Sequence, residues 1–140
     1  MQDEGFRTLG VTSDYIPHFA LSYMIVRRDW AAAHENELVR ALRAHTRSIR
    51  WLYDPANKAE AIALLAQATR TEPQYAERTY DLQVGRIQMW PRDGEIDVSA
   101  IEDALKIMVD EGELNPPVPA AAKYYEARYW EQARATVDSR

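Results

Sequence analysis

The feature that most constrains the fold is an amphipathic pattern from Asn36 to Tyr53 that stops abruptly at Asp54-Pro55. Its core-facing residues recur at steps of three and four, which is the spacing of one face of an α-helix. Aspartate caps helices and proline suits a first helical turn, so a second helix is predicted to begin at once. The core stripe of the first helix is predicted to be Leu38, Leu42, His45, Ile49 and Leu52.

Four more helical segments are predicted along the chain. Asn57 and Glu60 form a second possible capping pair at the start of the helix over about 56–70. The next helix begins near Glu72-Pro73 and runs to about residue 84, and another spans about 98–111 with Asp97 as its cap. A last helix is expected over about 124–136, and Asp29 is expected to cap a short turn over residues 30–33.

Two strands are predicted near the N-terminus, over residues 6–9 and 19–26. The second is apolar on both faces between Tyr23 and Val26, as in a strand that is covered on both sides. Two strands alone rarely make a stable sheet. The expected fold class is therefore α/β and mostly helical, with an incomplete sheet of about two strands, about five helices, and residues 1–140 forming one unit of a larger protein.

Composition excludes several function classes. The chain has 140 residues, 46% of them apolar, a net charge of −5 and no cysteine. The acidic balance argues against general nucleic-acid binding, and the lack of cysteine excludes a disulfide, a zinc-thiolate site and a thiol nucleophile. The N-terminus lacks the pattern of a signal peptide, and no apolar run is long enough to predict a membrane span.

One long stretch, "VRRDWAAAHENELVRALRAHTRSIRWLYDPANKAEAIALLAQAT", resembles the C-terminal part of periplasmic substrate-binding proteins of ABC importers. The group it is most similar to includes nitrate, sulfonate, taurine and thiamine-precursor binders. The resemblance continues through "YAERTYDL", "DGEIDVSAIEDALKIMVDEGEL" and "KYYEARYWEQA", and covers about residues 5–135. Glu35 departs from the family, which often has a proline soon after the match to Ala33-His34.

The resemblance implies the C-terminal part of lobe one of a type II, two-lobed periplasmic binding protein. The N-terminal half, which carries most ligand contacts in such proteins, is absent from this sequence. Residues 11–18 would correspond to a crossing between lobes. Fungal thiamine-precursor enzymes of the same superfamily use a cysteine-rich motif, and this chain has no cysteine.

The candidate ligand-binding residues lie at that crossing, which the resemblance places beside the cleft, and are Asp14, Tyr15, His18 and Phe19. Tyrosine and histidine side chains can stack on a small ligand or hydrogen-bond to it. The alternative is a rigid linker between lobes, in which Pro17 limits the freedom of the backbone.

A row of arginines follows the same helical spacing on nearly the opposite side from the core stripe. Three interpretations remain: a solvated face balanced by nearby carboxylates, a docking surface for the membrane permease, and a nucleic-acid or anion site. Nucleic acid is disfavoured because the chain is acidic and the row lacks interleaved aromatic residues. The row consists of Arg40, Arg43, Arg47 and Arg50.

Catalytic and metal chemistry find little support in the sequence. No histidine has a second histidine or a cysteine at metal-binding helical spacing, so no metal site and no cofactor are predicted. His45 is expected to be a core or boundary residue. The motifs G-x-S-x-G, P-loop and G-x-G-x-x-G do not occur.

The sequence therefore predicts a non-catalytic, periplasmic solute-binding component of an ABC importer, with a small organic or anionic solute and a permease as its partners. The alternative, from another functional class, is an independent helical interaction module that self-associates through an exposed strand edge.

Overall fold

The computed structural model describes Gly5, residues 7–16 and residues 23–138. The chain divides into two compact units. The small unit combines Met1–Met24 with Asp97–Tyr125, and the large unit combines Ile25–Ile96 with Glu126–Arg140.

Six α-helices occur in the described residues, five of them in the large unit. A π-helical turn, Asp81–Arg86, continues the fourth helix, and short 3₁₀ turns occur at Thr12–Asp14, Pro55–Asn57 and Ala121–Lys123. The helices are α1 (Arg28–Ala33), α2 (Glu35–Tyr53), α3 (Lys58–Thr69), α4 (Pro73–Tyr80), α5 (Val98–Asp110) and α6 (Arg128–Ala135).

The predicted α/β fold class is wrong, because the described residues contain helices and no strand. Residues 7–9 of the first predicted strand have no regular secondary structure, and Phe6 lies outside the described residues. Residues 23–26 of the second predicted strand also have none, and residues 19–22 lie outside the described part. The predicted incomplete sheet, and with it the assignment to lobe one of a type II binding-protein fold, is not supported by this structure.

The physical reason is that an apolar pattern does not supply pairing partners. Residues 23–26 form no backbone hydrogen bond with any described residue. A strand persists through its ladder and its packing, and both need neighbours. The side chains of this segment are exposed instead, with Ile25 at 85% of its full accessibility and Met24 at 54%.

The helical predictions are largely confirmed. The helix predicted from Asn36 to Tyr53 is α2, which begins one residue earlier. The segment predicted from Glu72-Pro73 to residue 84 is α4 together with its π-helical continuation. The last helix is shorter than predicted, because α6 begins only at Arg128.

The corner at Asp54-Pro55 forms as the capping pattern predicts. The Asp54 carboxylate accepts a hydrogen bond from the Ala56 amide at 2.9 Å, and Pro55 occupies the first turn. Asn57, predicted as a second cap, makes no capping bond to α3. Its side-chain amide donates to the Trp51 carbonyl at 2.9 Å instead, and so satisfies one of the last carbonyls of α2.

Helix α2 organises the core of the large unit. Near its start, Leu38 packs with Ala31 of α1 and Tyr129 of α6. At its end, Trp51, Leu52 and Tyr53 pack against a second cluster that the following helices supply. The buried members of that cluster are Ala61, Tyr80 and Val84.

The buried face of α2 is rotated by one residue from the predicted stripe at its centre. His45 is exposed, and its neighbour Thr46 is buried at 1% accessibility. The Thr46 hydroxyl donates to the Asp93 carbonyl at 3.1 Å, which satisfies its hydrogen-bonding need inside the protein. A polar residue thus occupies the core position that the periodicity assigned to His45.

The small unit is built around α5. Asp97 caps this helix as predicted, since its carboxylate accepts from the Ala100 amide at 3.3 Å. Gly112 lies just beyond the helix at a φ of +76°, a left-handed conformation that glycine adopts without a Cβ penalty. Ala100 and Ile101 of α5 are buried, and α5 packs against the 3₁₀ turn that contains buried Ala121.

Candidate functional site

The candidate ligand-binding residues near the N-terminus are only partly described. Asp14 ends the 3₁₀ turn Thr12–Asp14, and Asp14 and Tyr15 are both exposed, Tyr15 at 76%. His18 and Phe19 lie outside the described residues. Their role in ligand binding stays a prediction.

The arginine row of α2 is divided by its burial into two pairs. Arg43 and Arg50 are half-buried and bond to side chains of other segments of the large unit. Arg40 and Arg47 are exposed. Each pair is seven residues apart, or two helical turns, so its members share a face of α2.

Three of the four arginines bind the segment that follows α6. Arg43 donates to the Thr136 hydroxyl at 3.4 Å, and Arg47 donates twice to the Val137 carbonyl, at 3.0 and 2.7 Å. Arg50 donates to the Asp138 carboxylate at 2.8 Å. These bonds hold the end of the chain's last helix against α2, and Val137 is buried there at 5% accessibility.

Asp93 is the centre of the most connected polar cluster in the described residues. Its carboxylate accepts from Arg50 at 2.7 Å and from Arg134 of α6 at 3.2 Å. Its carbonyl accepts from the Thr46 hydroxyl at 3.1 Å and from the Trp130 indole at 2.8 Å. One loop residue therefore joins α2 to α6 through four bonds.

The charged side chains of this cluster each stabilise the ionised form of the other. The Arg50 guanidinium, and after it that of Arg134, holds the pKa of the Asp93 carboxyl below its usual range. The same bond raises the pKa of Arg50. An ion pair with a partly shielded carboxylate stabilises more than a fully exposed pair does, and the Asp93 side chain is 27% exposed.

A tight turn brings Asp93 to this place. The Gly94 amide donates to the Pro91 carbonyl at 2.9 Å, and Gly94 has a φ of +70°. A Cβ at Gly94 would lie 3.2 Å from the Ile49 side chain, so the turn packs closely on α2. The left-handed backbone conformation favours glycine here, and a Cβ would make a tight contact with Ile49.

Tyr53 binds the residue that precedes this turn, Trp90. Its hydroxyl donates to the Trp90 carbonyl at 2.7 Å and accepts from the Trp90 amide at 3.2 Å. Partial burial raises the pKa of Tyr53, and the Arg92 guanidinium stacks over its ring at 4.8 Å. The hydroxyl is thereby engaged in positioning the loop.

An open groove of about 660 Å³ lies between α2 and α3 of the large unit. Its wall is mostly apolar, and Leu64 of α3 is half exposed along it. Trp51 and Leu52 pack on their inner side against the second core cluster, so the floor of the groove is held in place. The lining residues are Arg47, Ser48, Trp51, Leu52 and Leu64.

No group of histidine, cysteine and carboxylate side chains in the described part of the chain has the arrangement of a metal site. Within the same residues, every buried side-chain nitrogen and oxygen has a hydrogen-bond partner. The helices described here include none with the length and apolar character needed to cross a membrane.

Comparison with known proteins adds no relative: no family model, curated protein or solved structure matches the chain significantly.

Sequence reasoning missed the part that Asp93 and the residues after α6 play. The stretch "PRDG" is a recognisable turn signal, but such a signal does not show which distant side chains the turn will contact. Its partners on α2 and α6 are more than 35 positions away, and helical periodicity contains no information on such distant pairs.

Proposed function

We propose that this chain is a non-catalytic component of the solute-binding protein of an ABC importer, in which it supplies helical scaffold. The proposal rests on the resemblance that covers about residues 5–135 of the sequence. The solute is a small organic or anionic molecule, the partner is the membrane permease, and the location is the periplasm.

One structural observation supports a scaffold role. Four consecutive apolar residues, Tyr23–Val26, lie exposed and without backbone bonds to described residues, directly before the well-packed helices α1 and α2. Exposed apolar stretches of this kind indicate an interaction with further protein. A chain that works as part of a larger binding protein would cover them.

The test uses the protein at the full length that its gene encodes. Thermal melting is followed with nitrate, taurine, an alkanesulfonate and a thiamine-precursor pyrimidine added one at a time. A ligand at 100 times its Kd stabilises a protein by about 2.7 kcal/mol, which raises the Tm by several degrees. We expect such a rise with one of these solutes.

The isolated chain of residues 1–140 is the control and is expected to show no rise. Tight solute binding by this chain alone would contradict the scaffold role, and the absence of any shift with the full-length protein would contradict the transport proposal. Tyr15→Ala in the full-length protein tests the predicted ligand contact, and it should weaken solute binding without lowering the Tm of the unliganded protein.

The second candidate is a helical interaction module that self-associates. It is favoured by the exposure of Ile25 and Val26 in the large unit. It predicts that the isolated chain forms dimers or larger species at micromolar concentration, whereas the scaffold proposal for the full-length protein does not require them. Light scattering on both lengths distinguishes the two candidates.

A further inference from the structure

Helix α3 carries few charges for a helix at a protein surface. Among its 12 residues only Lys58 and Glu60 are charged, and both lie in its first turn. Its inner side packs against α4 and α2 and buries Ala61. On its outer side Ala63 and Leu64 are exposed, Leu64 at 50%. A helix with apolar residues around its circumference is usually covered on all sides, so we expect the outer side of α3 to have a partner.

The exposed apolar surface of α3 continues into the groove between α2 and α3. Leu64 lines this groove together with Trp51 and Leu52. Arg47 also lines it but belongs to the α2 side, where it binds the Val137 carbonyl. Exposed apolar surface of this kind indicates an interaction with further protein.

The outer face of α3 has one charge of each sign, at opposite ends. Glu60 is exposed in the first turn, and Arg70 is exposed at the position that ends the helix. Neither side chain forms a hydrogen bond or ion pair with a described residue. Lys58, by contrast, is paired with the Asp81 carboxylate at 2.7 Å. The charges that remain available to a partner are therefore Glu60 and Arg70.

These two charges belong to a face that is symmetric about the middle of α3. Its residues follow steps of three, four and three, which is the spacing of one side of a helix. In an antiparallel pair of α3 helices, the first residue of this face lies opposite the last, and the two central residues lie opposite each other. The face consists of Glu60, Ala63, Gln67 and Arg70.

We propose that the outer face of α3 docks a second copy of this chain, with the two α3 helices antiparallel. Glu60 of each copy then faces Arg70 of the other, and the two Leu64 side chains lie next to each other near the twofold axis. Twofold symmetry makes each of these contacts occur twice. Opposite charges at both ends fix the register of the two helices.

The charges of the face favour a second copy over a partner of one charge sign. A helix with only acidic or only basic residues would meet a like charge at one end of α3, which is unfavourable. A second copy has its charges in the required order by symmetry. Since α3 is about 18 Å long, the interface is small, and the dimer belongs to the weak, exchanging class.

The test is sedimentation velocity of the chain of residues 1–140, at concentrations from about 10 µM to about 500 µM. We expect a monomer–dimer equilibrium. Ala63→Glu should abolish the dimer, because it places two carboxylates opposite the centre of the partner helix. A strict monomer over this range would overturn the proposal and leave the face to a different protein.

Charge reversal tests the pairing itself. Glu60→Arg and Arg70→Glu should each weaken the dimer by about fivefold, because like charges then face each other at both ends. Mixed in equal amounts, the two variants should associate within about twofold of the wild type, because every positive end again faces a negative end. Single reversals without effect, or a mixture that stays as weak as its components, would overturn the antiparallel arrangement.

The matched controls carry the same charge changes on another helix. Glu102→Arg and Lys106→Glu, both at exposed positions of α5, should leave the dimer within about twofold of the wild type. Circular dichroism on every variant checks that its helix content is unchanged. Losses as large for these controls as for the α3 variants would contradict the assignment to α3.

The same experiment separates this surface from residues 23–26. Ile25→Lys should leave the α3 dimer unchanged, and a dimer that Ile25→Lys abolishes while the α3 variants keep it would overturn the proposal. The association needs neither the solute nor the permease, so it goes beyond the proposed function. Its failure leaves the solute-binding proposal standing, and a failed solute test leaves the dimer measurement valid.

Discussion

The inner face of α2 and residues 23–26 are both apolar in sequence, and the protein uses them in opposite ways. Leu38 and Ile49 of α2 are 5% exposed, whereas Ile25 is 85% exposed. The difference is that α2 has partners fixed in place by polar anchors, above all Asp93, whereas residues 23–26 form no backbone hydrogen bond with a described residue. Burial depends on a neighbouring element as much as on the apolar residue itself.

The largest expected effect compares the same substitution in the two regions. Ile49→Ala should lower the free energy of unfolding by about 3 kcal/mol, because it removes buried methylene groups and leaves a cavity. Ile25→Ala should change it by less than about 0.5 kcal/mol, because the side chain is already in water. Urea denaturation of both variants makes the comparison, and equal losses would contradict it.

The second prediction concerns the ion pairs of Asp93. Asp93→Asn should lower the free energy of unfolding by about 2 kcal/mol, because two arginines lose a charged acceptor in a partly shielded place. Asp138→Asn is the matched control. Its carboxylate also binds Arg50 but is 85% exposed, so the loss should be below about 0.5 kcal/mol. A loss for Asp138→Asn as large as for Asp93→Asn would show that Asp93 is not the centre of the cluster.

The third prediction is that the stabilisation by the Asp93 carboxylate depends on pH. Arg50 lowers the pKa of Asp93 in the folded protein, so its contribution is present above the unfolded pKa of about 3.9. It is lost as the pH falls through the lower folded pKa. The Tm difference between the wild type and Asp93→Asn should therefore be constant from pH 7 to about pH 5 and should shrink below about pH 4. A difference that grows on acidification would contradict the ion-pair explanation.

The smallest expected effect on stability comes from a charge in the exposed segment. Ile25→Lys should leave the Tm within about 2 °C of the wild type, since the Ile25 side chain is 85% exposed. If the segment drives self-association, the same variant should reduce the dimer fraction in light scattering. A large drop in Tm with no change in association would show that Ile25 is packed within the folded chain.

The sequence predicted the local features of the helices well. The caps at Asp54 and Asp97 and the extent of α2 follow from short-range rules that need only a few neighbouring residues. His45 was misplaced because the helical period permits a stripe rotated by one residue. The burial of Thr46 instead goes with the distant Asp93 carbonyl, which accepts a hydrogen bond from the Thr46 hydroxyl.

The predicted sheet is wrong because strand pairing also depends on residues elsewhere in the chain. An apolar run such as residues 23–26 shows that a segment can be buried, but the ladder that makes it a strand belongs to other residues. For the candidate sites, the helical pattern placed the four arginines of the row on one helix, and all four lie in α2. The bonds that three of these arginines make are formed with residues after α6, about 90 positions away in the chain, and helical spacing contains no information on them.

Native-state hydrogen exchange tests the central contrast most directly. Amides of α2 around Thr46 and Ile49 should exchange only through global unfolding, while those of residues 23–26 should exchange at nearly the rate of an unstructured peptide. That result would show that α2 is held in place by its partners and that residues 23–26 are not. Slow exchange at residues 23–26, comparable to that of α2, would contradict this account.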